Sequence, residues 1–210
     1  MNGKKPTGEP AGTAAEKARL RARFRAERAA LSPEDWEAAS AAVIDRLLAL
    51  PEVARARTLH VFWPLAARRE VDTRPLVAAL AARGVRVALP VVASAPGEPP
   101  HLEQRLYTGS EGLRPGLWGL EEPTGPLVAP SSLDALIVPA LAAARDGHRL
   151  GYGAGFYDRF LMGVRATIVC PVFASALVDR LPTGPYDRPV DVVVTEYEAL
   201  YVGSRPVETP

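Results

Sequence analysis

The chain has 210 residues, 48% of them hydrophobic and 23% charged, the balance of a soluble globular protein long enough to fill one domain core. Its net charge of +1 gives no long-range pull toward nucleic acid or a membrane surface, so an anion site would have to be local. The single cysteine, Cys170, excludes an internal disulfide framework and a multi-cysteine zinc site, and no apolar run reaches membrane-spanning length.

The opening residues MNGKKPTGEPAGT lack the apolar stretch of a signal peptide. They are expected to form a disordered tail over 1–13, ahead of one domain over 14–203 in a cytoplasmic protein. Residues 14–30 are rich in Ala, Arg, Glu and Leu and predict a helix. Ser32-Pro33-Glu34-Asp35 is a helix start, with a Ser cap, Pro at the first position and acids in the first turn. This second helix should reach Leu50 and stop at Pro51. Residues 58–63 predict a strand closed by Pro64, 73–83 a helix stopped by Gly84, and 85–89 a strand ended by Pro90.

ASAPGEPP over 93–100 predicts a surface loop, and 101–107 an edge strand. The Gly- and Pro-rich stretch 112–130 is expected to cross the surface without regular structure. Three short apolar runs, 133–138, 166–172 and 190–195, predict buried strands, with a short helix over 157–162. Strands alternating with helices imply an α/β fold: a single three-layer α/β/α domain around a mainly parallel, Rossmann-like sheet.

Residues 149–159, RLGYGAGFYDR, carry the strongest local signal. The stretch is not a Walker loop, because no Gly-Lys-Ser/Thr follows, and glycines at 151, 153 and 155 miss the dinucleotide spacing. No nucleophile elbow is present, and His60, His101 and His148 lack metal spacing, so each is read as structural or solvated. Chemistry here would have to rest on positioning and charge. Alternating glycines ahead of a helix can turn backbone N–H groups toward an anion, with Arg149 adding a full charge and Asp158 able to hold a divalent cation beside phosphate. The bland alternative is a glycine-rich turn whose Asp158 only complements the helix dipole.

These residues, with Leu136-Ile137-Val138-Pro139 and Asp146-Gly147 before them, resemble the signature of the 5-formyltetrahydrofolate cyclo-ligase (methenyltetrahydrofolate synthetase) family. Lys17-x-x-Leu20-Arg21, Glu70-Val71-Asp72-Thr73, Gly116-Leu117-Trp118-Gly119-Leu120 with Glu122-Pro123, and Leu181-Pro182 with Asp187 and Val190-Asp191 resemble its other motifs in order. The resemblance runs from Lys17 to Glu196. It implies a ligase of one-carbon metabolism that uses ATP as co-substrate and Mg2+ to convert 5-formyltetrahydrofolate to 5,10-methenyltetrahydrofolate, releasing ADP and phosphate. Partners would be these small molecules, with no nucleic acid and no membrane, and the protein a monomer.

Residue by residue, the resemblance implies ATP binding by Lys17, Arg21 and Arg149 and by the stretch Leu150, Gly151, Tyr152, Gly153, Ala154, Gly155, Phe156 and Tyr157. Lys17 and Arg21 are four apart and share a helix face; otherwise they belong to a solvated basic helix. Asp158 and Asp187 would hold the metal, and Arg149 and Tyr157 the catalytic step. Glu70 would bind the pterin edge, unless it is a surface acid, and Trp63, Tyr152 and Phe156 would bracket the folate rings, unless Trp63 is strand-end core. The chain departs from the family at Ala143-Ala144, where Phe-Asp is common, and at Ala176, in a region where a glutamine is usual. Those alanines leave room for a paralog that binds nucleotide or folate without turnover. A non-catalytic anion-binding domain is the alternative from another class, and Lys17, Arg21, Asp158 and Asp187 argue against it.

Overall fold

The computed structural model describes residues 11–94, 99–185 and 187–203. Most of the expected tail, part of the 93–100 loop and Tyr186 therefore lie outside the described residues. Chain order runs through helices α1 (Ala11–Ala29), α2 (Pro33–Ala49) and α3 (Pro51–Ala54), strand β1 (Thr58–Val61), helix α4 (Arg74–Ala82), and strands β2 (Arg86–Ala93) and β3 (His101–Leu106). There follow β4 (Leu113–Pro115), β5 (Glu121–Pro123), β6 (Ala135–Ile137), β7 (Ala142–Ala144), β8 (Arg149–Leu150), α5 (Phe156–Leu161), β9 (Thr167–Pro171), β10 (Leu177–Val178), β11 (Val192–Val194) and β12 (Ala199–Tyr201).

Seven strands form one sheet in the order β12-β11-β9-β6-β1-β2-β3. The five inner strands are parallel, and an antiparallel strand closes each edge. Side chains alternate strictly across it. Leu59, Val61, Ile137, Val169 and Val192 pack with Val43 and Leu47 of α2, Val53 of α3 and Leu76 and Leu80 of α4. On the other face Ala88, Leu136, Ile168, Cys170 and Val193 pack with Leu161 of α5, Val164 and Ala143. Buried on both faces, the parallel strands need the continuous apolar runs the sequence shows. A third cluster joins Phe24 of α1 to Ala142, Ala144 and Leu150, pinning the N-terminal helix onto the small β10-β7-β8 sheet.

Several expectations are corrected. Pro51 does not simply end α2; it opens α3 as its first residue, where a missing N–H costs nothing. Ser32 caps α2 as expected, its hydroxyl accepting from Asp35 N at 3.0 Å, worth about 1 kcal/mol. Pro90 does not end β2. Pairing with β1 reaches only Ala88, so Pro90 falls where the strand has one neighbour rather than two. The 112–130 stretch holds the hairpin-like pair β4–β5, and β7, β8, β10 and β12 are strands of two or three residues that no periodicity could reveal.

The chain passes from β1 to β2 on one side, then returns so that β6 lies against the other side of β1. The connections leaving the carboxyl ends of β1 and β6 therefore diverge. In open parallel sheets a ligand crevice forms at such a reversal.

Candidate active site

A cavity of about 430 Å³ occupies that crevice. Phe62 and Trp63, just past β1, Pro139, just past β6, and the whole 149–158 stretch line it. Every residue the sequence assigned to a site lines it: Lys17, Arg21, Trp63, Glu70, all of 149–158, and Asp187. The structure brings together residues as far apart as 170 positions.

Lys17 is 6% exposed, so α1 is not a solvated basic helix at this point. Its Nζ donates to Asp187 Oδ2 at 2.6 Å, and Gly184 N donates to the same oxygen at 2.9 Å. One turn later Arg21 Nε donates to the Gly151 carbonyl at 2.9 Å. Arg149 donates to Asp158 Oδ1 at 2.6 Å and to the Arg188 carbonyl at 2.9 Å. Two of the three expected phosphate-binding cations, Lys17 and Arg149, are thus each matched to an expected metal-binding carboxylate, while Arg21 is held by a backbone carbonyl. Charges this far from water require such partners, and removing one partner would strand the other.

Within the glycine stretch only two glycines take conformations that disfavour other residues, Gly153 at φ 102° and Gly155 at φ 67°. Gly151 does not, so only two of the three alternating glycines are demanded by conformation. A side chain at Gly151 would meet nothing within 4 Å, whereas one at Gly153 would reach the Arg21 guanidinium at 3.5 Å. Gly155 precedes α5, which puts Tyr157 and Asp158 in the first helical turn.

The placement of Glu70 depends on the loop after β1. Arg69 takes a left-handed conformation at φ 48°, the one non-glycine residue among those described to do so, and it precedes Glu70. Such strain persists only where surroundings enforce it. Here Trp36 Nε1 donates to the Glu70 carbonyl at 2.7 Å, and Leu65 N donates to Glu70 Oε2 at 2.9 Å. Glu70 is 5% exposed, which excludes the surface-acid alternative. Trp63 stacks on Tyr107 with centroids 6.0 Å apart while its Nε1 donates to Glu121. It is half-buried, both packed on core and facing the cavity.

The Tyr152 ring has the Arg28 guanidinium 5.6 Å and the Arg68 guanidinium 5.9 Å from its centroid. Burial foremost, then the Glu70 charge, pushes the Tyr152 and Tyr157 phenols above their ordinary range, so both stay protonated. Cys170 is fully buried and its thiol pushed up to about 12 by burial, so it is no nucleophile.

Sequence reasoning missed Phe62, Leu65, Arg68 and Pro139 of the lining, and the backbone of Arg188. The signal was available in the strand order, since loops at the switch point must form the crevice, but strand order is not written in a sequence. Ala143 and Ala144 are fully buried, and neither they nor Ala176 lines the main cavity. Ala144 packs with Phe24 and Leu150, and Ala176 packs against the same cluster. Ala143 and Ala144 are core substitutions filled by apolar neighbours, whereas Ala176 is partly buried and lines a small second pocket beside Phe62, Glu70 and Tyr152.

A family model for 5-formyltetrahydrofolate cyclo-ligase matches residues 13–196. The chain belongs to that family. It is 34% identical to the 5-formyltetrahydrofolate cyclo-ligase of Escherichia coli K12 over 82% of this chain and 96% of the relative. It is 36% identical to that of Mycolicibacterium smegmatis over 66% and 73%. Among solved structures, the 5,10-methenyltetrahydrofolate synthetase of Aquifex aeolicus superposes with a TM-score of 0.80 at 31% identity, covering 92% of this chain and 96% of the other.

Proposed function

We propose that this cyclo-ligase family member closes 5-formyltetrahydrofolate to 5,10-methenyltetrahydrofolate at the expense of ATP. The observation that carries the reading is one cavity lined both by three cations with a glycine turn and by Glu70 and Trp63. A polyanion and a flat heterocycle can meet there.

Lys17, Arg21 and Arg149 would hold the triphosphate with N–H groups of 151–155, Lys17 and Arg149 exchanging carboxylate partners for phosphate oxygens and Arg21 a backbone carbonyl. Among the described residues no three metal-type ligands gather into a cage. Asp158 and Asp187 nevertheless suit magnesium, which takes one or two carboxylates and completes its shell with phosphate oxygens and water. When bound, the ion would neutralise charge on the phosphates. The formyl oxygen attacks the γ-phosphorus and ADP leaves, giving an imidate phosphate. N10 then attacks that carbon, loses its proton, and inorganic phosphate departs with the oxygen as the methenyl cation forms. Both reacting groups belong to the substrate, so the protein's contribution is orientation and charge. Glu70 fits the donor edge of the aminopyrimidinone ring, a charge-assisted contact.

An absorbance assay for the methenyl product tests this. Formation from 5-formyltetrahydrofolate that needs both ATP and magnesium is expected. Nucleotide and folate binding with no product would replace the enzyme by a binding protein.

A further inference from the structure

β1 spends a core position on a polar residue. His60 lies opposite Ala88 of β2 and Leu136 of β6, on the face where Ile168 follows one strand further. It is fully buried, and Gln104 of β3 is 2% exposed. His60 Nδ1 and both polar atoms of the Gln104 amide are buried without a hydrogen-bond partner. Gln104 acts on the imidazole but stands outside hydrogen-bond geometry. Unsatisfied buried polar atoms cost free energy that an apolar side chain would not, so stability does not explain this pair.

The contact His60 does make is 3.1 Å from Nε2 to the Tyr157 hydroxyl. The rings lie 5.7 Å apart, and Phe160, one α5 position on the same side, lies 5.8 Å from the imidazole. Tyr157 lines the cavity; His60 does not. Burial keeps the imidazole neutral, lowering its pKa to about 4. In either tautomer one proton then lies between Nε2 and the phenol oxygen.

Tyr157 needs such support. It sits on a six-residue helix whose start has no side-chain cap, and a helix that short has little orientation of its own. We propose that His60 is a positioning residue, fixing the Tyr157 hydroxyl in the cavity wall from behind without touching substrate. The proposal rests on the cyclo-ligase reading for what Tyr157 faces.

The test crosses His60→Leu and His60→Gln with Tyr157→Phe. His60→Leu should lower kcat by about tenfold or more while KM for folate and ATP moves within about threefold, and it should melt no earlier than the parent. Glutamine, whose amide can still pair with the phenol, should restore part of kcat. In the Tyr157→Phe background, His60→Leu should change kcat by less than about twofold. An equal loss in both backgrounds, an unchanged kcat, or unfolding of both the leucine and glutamine variants would overturn it. If the parent makes no methenyl product, the functional reading fails by itself. The positioning is then read from the 13Cζ resonance of Tyr157 in tyrosine-labelled protein, which should shift in His60→Leu; an unmoved resonance overturns it.

Discussion

Two groups of cavity residues are built by different means. The cationic group comes from one helical turn, Lys17 to Arg21, and one continuous stretch, 149–158, with Asp187 added. Its order lies in backbone conformation and ion pairs. The other group collects Phe62 and Trp63 from the end of β1, Val92 and Leu102 from β2 and β3, and Glu70 from a loop held by hydrogen bonds to its own backbone. Its order lies in tertiary packing. The first group should therefore fail through lost charge or an altered φ, and the second through lost shape or a lost acceptor.

The most severe break is expected at Gly153→Val, which should abolish ATP-dependent turnover. A β-branched residue resists φ of 102°, and its bulk would press on Arg21. Gly151→Ala, which has no such φ and meets nothing nearby, should fold and melt as the parent does. The pair separates a shaped turn from a generic glycine run: nucleotide titration and thermal melts of both variants decide it, and tight ATP binding by folded Gly153→Val would reduce the stretch to a simple turn.

Asp158→Asn should cost about 10²–10³ in kcat with the fold intact, the scale of losing one positioned charge at a phosphoryl-transfer centre. Asparagine can still accept from Arg149 but no longer offsets its charge. A modest loss of stability is therefore expected beside the loss of kcat, and a thermal melt checks that the fold is retained. Near-parental turnover would remove Asp158 from the metal and phosphate assignment.

Acid should act through a group outside the cavity lining, His60, which lies behind Tyr157. An unfolded histidine titrates near 6.5, whereas His60 in the fold titrates at about 4. Between those values the unfolded chain binds the extra proton, so stability falls as pH drops from 6.5 to 4 and this contribution is flat above 6.5. The loss is on the order of 3 kcal/mol, and His60→Leu should flatten that part of the stability–pH curve measured by denaturant titration. A parental slope in the variant would refute the assignment.

The mildest and most selective effect belongs to Glu70→Gln. Glutamine can still accept from Leu65 N, so the loop keeps its shape, but the charge is lost. Folate affinity should weaken by about 1–3 kcal/mol while ATP affinity holds. Equal losses for both ligands, measured by calorimetry, would mean that Glu70 shapes the cavity rather than recognising a ring.

By itself the sequence determined the parts whose physics is local. Ser32 and Pro33 set the start of α2, apolar runs marked β6, β9 and β11, and RLGYGAGFYDR declared a shaped backbone between charges, because caps, periodicity and glycine spacing act over a few residues. The sequence also carried the family signature, and with it every residue assigned to the cavity. It did not determine which cation meets which carboxylate. Lys17 with Asp187 is a contact across 170 residues that only the docking of α1 on the small β10-β7-β8 sheet creates. Nor did it determine the meaning of Ala144, which reads as a missing ligand in one dimension and proves to be filled core in three. His60 looked like any strand histidine. Only the tertiary structure, by burying it against the back of Tyr157, decided that its polarity has somewhere to act.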